Sequence, residues 1–231
     1  MTADKSQPLK FLVFLGSVRQ STPPRPARLG ERVAHCCVRS LGEYSHNVTL
    51  IDPLTLNLRS SDSDGVFKPH FAYAERRAPD DLDRLAKVIK AADAFVMVSP
   101  EYNHSMSPAL ADLLNHFGSS LFSYKPSAIV TYSAGQWGGA RAAVNMRTYL
   151  SELGCLPVSA MIHIPKAQDV LDAQGNYSDG QKSESWNTYL DRTFAQLGWW
   201  AEATRSHRRT LDPEQILPAF KDNPGQRNAG R

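Results

Sequence analysis

Phe11-Leu12-Val13-Phe14-Leu15 is an unbroken run of five apolar residues, and Gly16-Ser17-Val18-Arg19-Gln20-Ser21-Thr22 follows it directly. A strand with one face in water alternates apolar and polar side chains. A run without alternation is covered on both faces, which is the condition of a parallel sheet. Four more runs share this character: Val48 to Ile51, Phe95 to Val98, Ala128 to Tyr132 and Val158 to Ile164. Helical spacing fills the gaps, with Leu29, Val33, Cys36, Cys37 and Leu41 on one face, then Leu82, Leu85, Ala86 and Ile89. Leu110, Leu113, Leu114 and Phe117 repeat it, as do Ala143, Met146, Leu150 and Leu153, and finally Trp186, Leu190, Phe194 and Leu197. Strand and helix thus alternate five times, which predicts an α/β fold: a doubly wound, five-stranded parallel sheet with helices on both faces.

The remaining features narrow the class. The chain has 231 residues, 42 % of them hydrophobic, enough for one domain with its own core. A net charge of +3, without a polybasic stripe, argues against nucleic acid and for a small partner. Cys36, Cys37 and Cys155 form no regular framework and read as buried thiols of a reducing, cytoplasmic setting. No segment has the roughly 18 apolar residues a membrane span needs. The histidines show no paired helical spacing, so no metal site is expected. Two stretches exceed the minimal unit. Pro53 to Ala78 is long for a connection, and 204–231 reads as a basic, Pro/Gly-containing tail, flexible or packed on a neighbouring subunit, after a domain spanning 8–203.

In an open parallel sheet ligands bind beyond the carboxyl ends of the strands, near the point where strand order reverses. The loop after the first strand offers backbone N–H groups, the hydroxyls of Ser17, Ser21 and Thr22, and the guanidinium of Arg19, just before a helix. That set suits a phosphate, although a Ser/Thr cap with a solvated arginine reads the same way. Neither G-x-x-x-x-G-K-S/T nor G-x-G-x-x-G is present, so a phosphate monoester fits better than a nucleoside triphosphate or dinucleotide. The loop after the third strand, Pro100-Glu101-Tyr102-Asn103-His104-Ser105, holds an aromatic, an amide and an imidazole, and Ser107-Pro108 then supplies a helix cap. It suits a flat heteroaromatic ring. The loop after the fourth strand, Ser133-Ala134-Gly135-Gln136-Trp137-Gly138-Gly139, permits close backbone approach, so its amides suit the polar end of such a ring.

These loops together resemble those of the NADPH-dependent FMN reductase family, flavodoxin-like proteins that include quinone reductase and azoreductase relatives. The resemblance spans roughly Lys10 to Pro165 and rests on Gly16-Ser17-Val18-Arg19, on Pro100 to Ser105, and on Lys125-Pro126 with Tyr132-Ser133-Ala134-Gly135 and Gly138-Gly139-Ala140-Arg141. It implies that Ser17 and Arg19 hold the FMN phosphate. Pro100, Glu101, Tyr102 and Asn103 would then lie along the ring and ribityl chain, and Ser133, Ala134, Gly135 and Gly138 near the ring's polar end. Family members pass from the first arginine to the helix within a few residues, whereas Gln20 to Ala27 intervenes here. Either Ser21 and Thr22 close over the phosphate or Arg28 takes that place. The resemblance also implies homodimers or homotetramers.

The expected activity is hydride transfer from NADPH or NADH to bound FMN and then to a small-molecule acceptor: a quinone, an azo compound or free flavin. No covalent nucleophile is required, and Tyr102 and His104 are the candidates for proton supply. Two other readings use the same residues. The fold could bind FMN as a non-enzymatic redox sensor or docking module. Ser133, with Asp169 and His207 later in the chain, also has half of the serine-hydrolase elbow, although the first glycine of that motif is missing.

Overall fold

The computed structural model describes residues 7–21, 28–59 and 66–216. Five strand positions form one parallel sheet. β1 (Lys10–Leu15) lies between β2 (Asn47–Ile51) and β3 (Ala94–Pro100), and β4 (Pro126–Tyr132) follows β3. The far edge holds two short pieces, β5 (Leu156–Pro157) and β6 (Ile162–Ile164), both paired to β4. The order is therefore β2-β1-β3-β4-β5, and it reverses between β1 and β3. The doubly wound five-stranded expectation holds, with one correction: the run from Val158 to Ile164 is not one strand. Pro157 has no N–H to continue the ladder, and Gln196 Oε1 accepts from Ser159 N, Ser159 Oγ and Ala160 N, which draws this backbone off the sheet.

The lack of alternation in the strands has its cause in two cores. Phe11, Val13 and Leu15 of β1 face α1 (Leu29–Glu43) and the last long helix, while Leu12 and Phe14 face the other side of the sheet. That second side carries α2 (Asp80–Ala91), α3 (Pro108–Asn115) and α4 (Ala140–Glu152). Every residue of β4 is buried, whereas the edge strand β2 is half-exposed. Each large side chain so covered contributes about 1.5 to 3 kcal/mol. All three cysteines are buried free thiols, and burial pushes the Cys155 thiol up to about 12.

After β6 come α5 (Ala167–Val170), α6 (Ser183–Thr210) and α7 (Pro213–Ile216). The helix expected to end before a flexible tail at 204 instead runs on to Thr210. Arg205 is buried and donates to the carbonyls of Gln7 and Pro8, and Arg208 donates to the Tyr124 carbonyl, so 204–210 belongs to the body. Within 53–78 the described residues form two single 3₁₀ turns, Pro53–Thr55 and His70–Ala72. Among the described residues no helix is long and apolar enough to cross a membrane.

Candidate functional site

The loops after β1, β3 and β4 lie at the carboxyl edge of the sheet and are bonded to one another. Gly16 N donates to Val98 O at 2.7 Å, and Ser107 Oγ donates to Gly16 O at 2.7 Å. Ser107 also caps α3 by accepting from Leu110 N, as the Ser107-Pro108 pair predicts, and its own N–H reaches Ser99 Oγ. Gly16 has to be glycine here: a Cβ would stand 2.7 Å from Val98 O and 2.8 Å from Leu110 Cβ. The first loop is thereby welded to β3 and to the start of α3.

The remainder of this loop divides into side chains that are committed and groups that are free. Arg28 is buried; it donates to Ser17 O at 2.9 Å and pairs with the Asp52 carboxylate. Ser21 Oγ donates to Glu31 Oε2 at 2.6 Å and accepts from Arg28 N at 2.9 Å. Both side chains offered by the sequence as alternatives for closing over a phosphate are thus bound from beneath; Thr22 lies outside the described residues. Ser17 is largely buried and its Oγ accepts from Arg19 N at 3.3 Å, while burial raises the pKa of the Tyr132 phenol. By contrast, Arg19 is exposed and meets no carboxylate among the described residues, its guanidinium standing 6.0 Å from the Tyr102 ring centroid. The backbone N–H groups of Val18 and Gln20 likewise have no acceptor among the described residues.

The second loop is a tight turn. Tyr102 N and Ser105 O, then Ser105 N and Tyr102 O, bond at 3.0 and 2.9 Å, while Asn103 (φ 50°) and His104 (φ 64°) both adopt left-handed conformations. Asparagine and histidine are among the non-glycine residues that adopt this region most readily, so the tight turn suits both. Asn145 of α4 donates to the His104 carbonyl and holds the turn. Tyr102, at its base, is 38 % exposed and offers a ring face to the rim.

Glu101 joins this loop to the third. Its carboxylate accepts from Arg141 N at 3.1 Å, Ala142 N at 3.3 Å and Arg141 Nε at 3.0 Å, so it caps the N-terminus of α4. Its side chain therefore serves the scaffold, although the peptide it carries stays on the rim with Pro100, the last residue of β3. This cap is not legible in the chain, because a helix is ordinarily capped by the residue just before it, and here that residue is Gly139, with φ 79° and no side chain. In the third loop Ser133 Oγ donates to Gly135 O at 2.8 Å and accepts from Gly138 N at 3.0 Å. Gln168 donates to Ala134 O and Lys166 N to Gly135 O, which fixes Ser133, Ala134, Gly135 and Gly138 in one turn.

That geometry removes the hydrolase reading. Ser133 Oγ is spent on its own turn, Asp169 is exposed on α5, and His207 sits in the last turn of α6, beside the start of the strands and at the opposite edge of the sheet. The imidazole closest along the sheet, His163, bonds Thr131 Oγ1 at 2.8 Å instead.

The arrangement fits a phosphorylated planar ring. Unused loop N–H groups and a carboxylate-free guanidinium suit a phosphate, while the Tyr102 face and the turns behind it suit a flat heterocycle. Fold and site together define a flavodoxin-like flavin-binding α/β protein. Residues 9–169 match the family model for NADPH-dependent FMN reductase, and the chain belongs to that family. It is 28 % identical over 189 residues to a 2-hydroxy-1,4-benzoquinone reductase of a Burkholderia species, covering 80 % of this chain and 93 % of that one. It is 36 % identical over 139 residues to an NADPH azoreductase of a Bacillus species, covering 60 % and 74 %. Over 110 residues it is 36 % identical to an NAD(P)H-dependent FMN reductase of Pseudomonas aeruginosa, covering 46 % of this chain and 60 % of that protein's length. Among solved structures, FerB of Paracoccus denitrificans, a flavoenzyme NAD(P)H:(acceptor) oxidoreductase, shares the fold with a TM-score of 0.62 at 18 % identity, over 82 % of this chain and 97 % of that one.

Proposed function

We infer that this protein uses FMN to pass hydride from NAD(P)H to a small-molecule acceptor of the quinone or azo class. Bound FMN supplies the ring that takes hydride from the nicotinamide and passes it on. The chain binds and orients that ring. Arg19 and the N–H groups of Val18 and Gln20 would hold the phosphate, with Ser17 setting the loop's shape by accepting from Arg19 N. Tyr102 would line the ring, with the peptides of Pro100, Glu101 and Asn103 alongside. The turn of Ser133, Ala134, Gly135 and Gly138 would face its polar end, where fixed dipoles stabilise developing negative charge. Tyr102 and His104 are the groups on this rim that could deliver a proton to an acceptor. The observation that carries the reading is the division within the first loop: among the described residues Arg28 and Ser21 are tied to acidic partners, and Arg19 is not.

A second copy of the chain is proposed to complete the site. Beside the first loop lies a cavity of about 430 Å³ lined by Val18, Leu56, Leu58, Pro108, Leu113 and His116. Phe67 stacks edge-on against His116 at 4.7 Å, and Phe67, Phe71 and Val66 are exposed around it. These exposed apolar side chains, beside a cavity that Asn57, Arg59 and Asp112 also line, support that proposal.

The test is an anaerobic titration. Purified protein given FMN should show a bound-flavin absorbance spectrum at one FMN per chain, bleach with NADPH, and recover on addition of a benzoquinone through many cycles. Flavin that reduces once and is not turned over by quinone or azo acceptors would sink the reading.

A further inference from the structure

The basic run that the sequence places in a tail is folded against the edge where the strands begin. At that edge a cavity of about 280 Å³ is lined by Lys10, Lys90, Arg205, Arg208 and Arg209, with Asp93 as the acidic residue on its wall. The elements differ: Lys10 opens β1, Lys90 ends α2, Asp93 precedes β3, and the three arginines occupy the last turns of α6.

Asp93 is already fully used. Its Oδ2 accepts from Lys10 N at 3.0 Å and lies 3.9 Å from Arg205, and its Oδ1 accepts from Arg208 at 3.2 Å. Arg205 has Glu202 as a second carboxylate partner, yet its Nε, although buried, meets no acceptor among the described residues. Only 6 % of the Arg205 side chain is exposed, so it is held in the wall of the cavity. The cations lie close enough to act on one another, with burial the main cause of each shift and Asp93 opposing it at Arg208. Arg205 helps to lower the pKa of Arg208 and of His46, after burial, and Arg208 helps to lower that of Lys125. A buried arginine set among four further cations, Lys10, Lys90, Arg208 and Arg209, with one carboxylate on the wall, is the reverse of the flavin rim in placement but equivalent in chemistry.

We propose that this cavity is a second anion site, taking a small diphosphate-bearing ligand that bridges the end of α6 to the starts of β1 and β3. A diphosphate matches the geometry because its oxygens can meet several cations at once, whereas a halide satisfies one. The site is independent of the flavin-binding reading, since no residue is shared.

Thermal unfolding of the FMN-loaded protein with pyrophosphate tests it, against sodium chloride at matched ionic strength. At one hundred times Kd, binding should raise the Tm by about 5 to 10 °C. The rise should saturate at one pyrophosphate per chain by calorimetry and be absent with chloride. The exposed pair Lys10→Gln with Arg209→Gln should weaken pyrophosphate binding at least tenfold while leaving the ligand-free Tm within a few degrees. Arg19→Ala should leave pyrophosphate binding unchanged. ADP binding more tightly than pyrophosphate would assign the diphosphate to a nucleotide, and equal binding to the free anion; either supports the site. No Tm rise, a rise matched by chloride, or a rise lost in Arg19→Ala but kept in the Lys10/Arg209 variant would overturn it.

Discussion

The two edges of the sheet use arginine in opposite ways. At the carboxyl edge Arg19 stands exposed over Tyr102 and meets no carboxylate among the described residues, while Arg28 at the start of α1 is buried against Asp52. At the amino edge Arg205 and Arg208 are packed into the body around Asp93, and Lys125 donates to three carbonyls, Ile89 O, Lys90 O and Leu121 O. One edge leaves charge for a ligand; the other ties most of its charge into the fold. Buried charge must be paired, and the same side chain in a loop need not be. The role of an arginine in this molecule thus follows from what surrounds it rather than from its type.

The comparison breaks first at Asp93. Replacing it with alanine leaves two arginines without their shared counter-charge, and we expect about 3 to 5 kcal/mol of lost stability by urea denaturation. A loss under 1 kcal/mol would mean that the amino edge is as solvated as the carboxyl edge. Arg19→Ala should show the converse: FMN affinity weaker by about 1.5 to 3 kcal/mol, measured by fluorescence titration, with the urea midpoint unmoved. If Arg19→Ala shifts stability and spares FMN, the division between the edges fails.

Glu101→Ala sharpens the contrast within the rim. It removes the cap of α4 without removing a ligand contact, so about 1 kcal/mol of stability should go, read again by urea. The last expected effect is a dependence on pH. Burial foremost, and then the Arg208 cation, push Lys125 down to about 7. Its folded pKa therefore lies below its unfolded value, the unfolded chain holds more protons between the two, and stability rises as pH climbs through 7 toward 10. Wild type should gain on Lys125→Met across pH 6 to 9; parallel curves would show that this lysine does not titrate there.

Much of the carboxyl edge is legible in the chain itself. The apolar runs end where the loops begin, and Ser107-Pro108 announces a helix start that is found at Pro108. Other parts are not legible. The Arg28–Asp52 pair is hidden because Asp52 ends a different strand position, and Arg28 looks as available for a phosphate as Arg19. The run Arg205, His207, Arg208, Arg209 resembles a solvated tail, since its hydrophilicity hides that Arg205 finds acceptors at Gln7 and Pro8. The broken edge strand depends on Gln196, a polar residue of a helix that carries no strand signal at all.

Local pattern by itself determined the parallel sheet, the number of strand positions and the three loops at one rim, because strand coverage and helical spacing are written within a few neighbouring residues. Only the tertiary structure decided which groups on that rim are spent. Arg28 meets Asp52 across 24 residues, Glu101 meets Arg141 across 40, Ser107 meets Gly16 across 91, and Arg205 meets Gln7 across 198. A hydrogen bond satisfies a donor wherever along the chain its acceptor comes from, so the groups left free for a ligand emerge only after the fold has paired the rest.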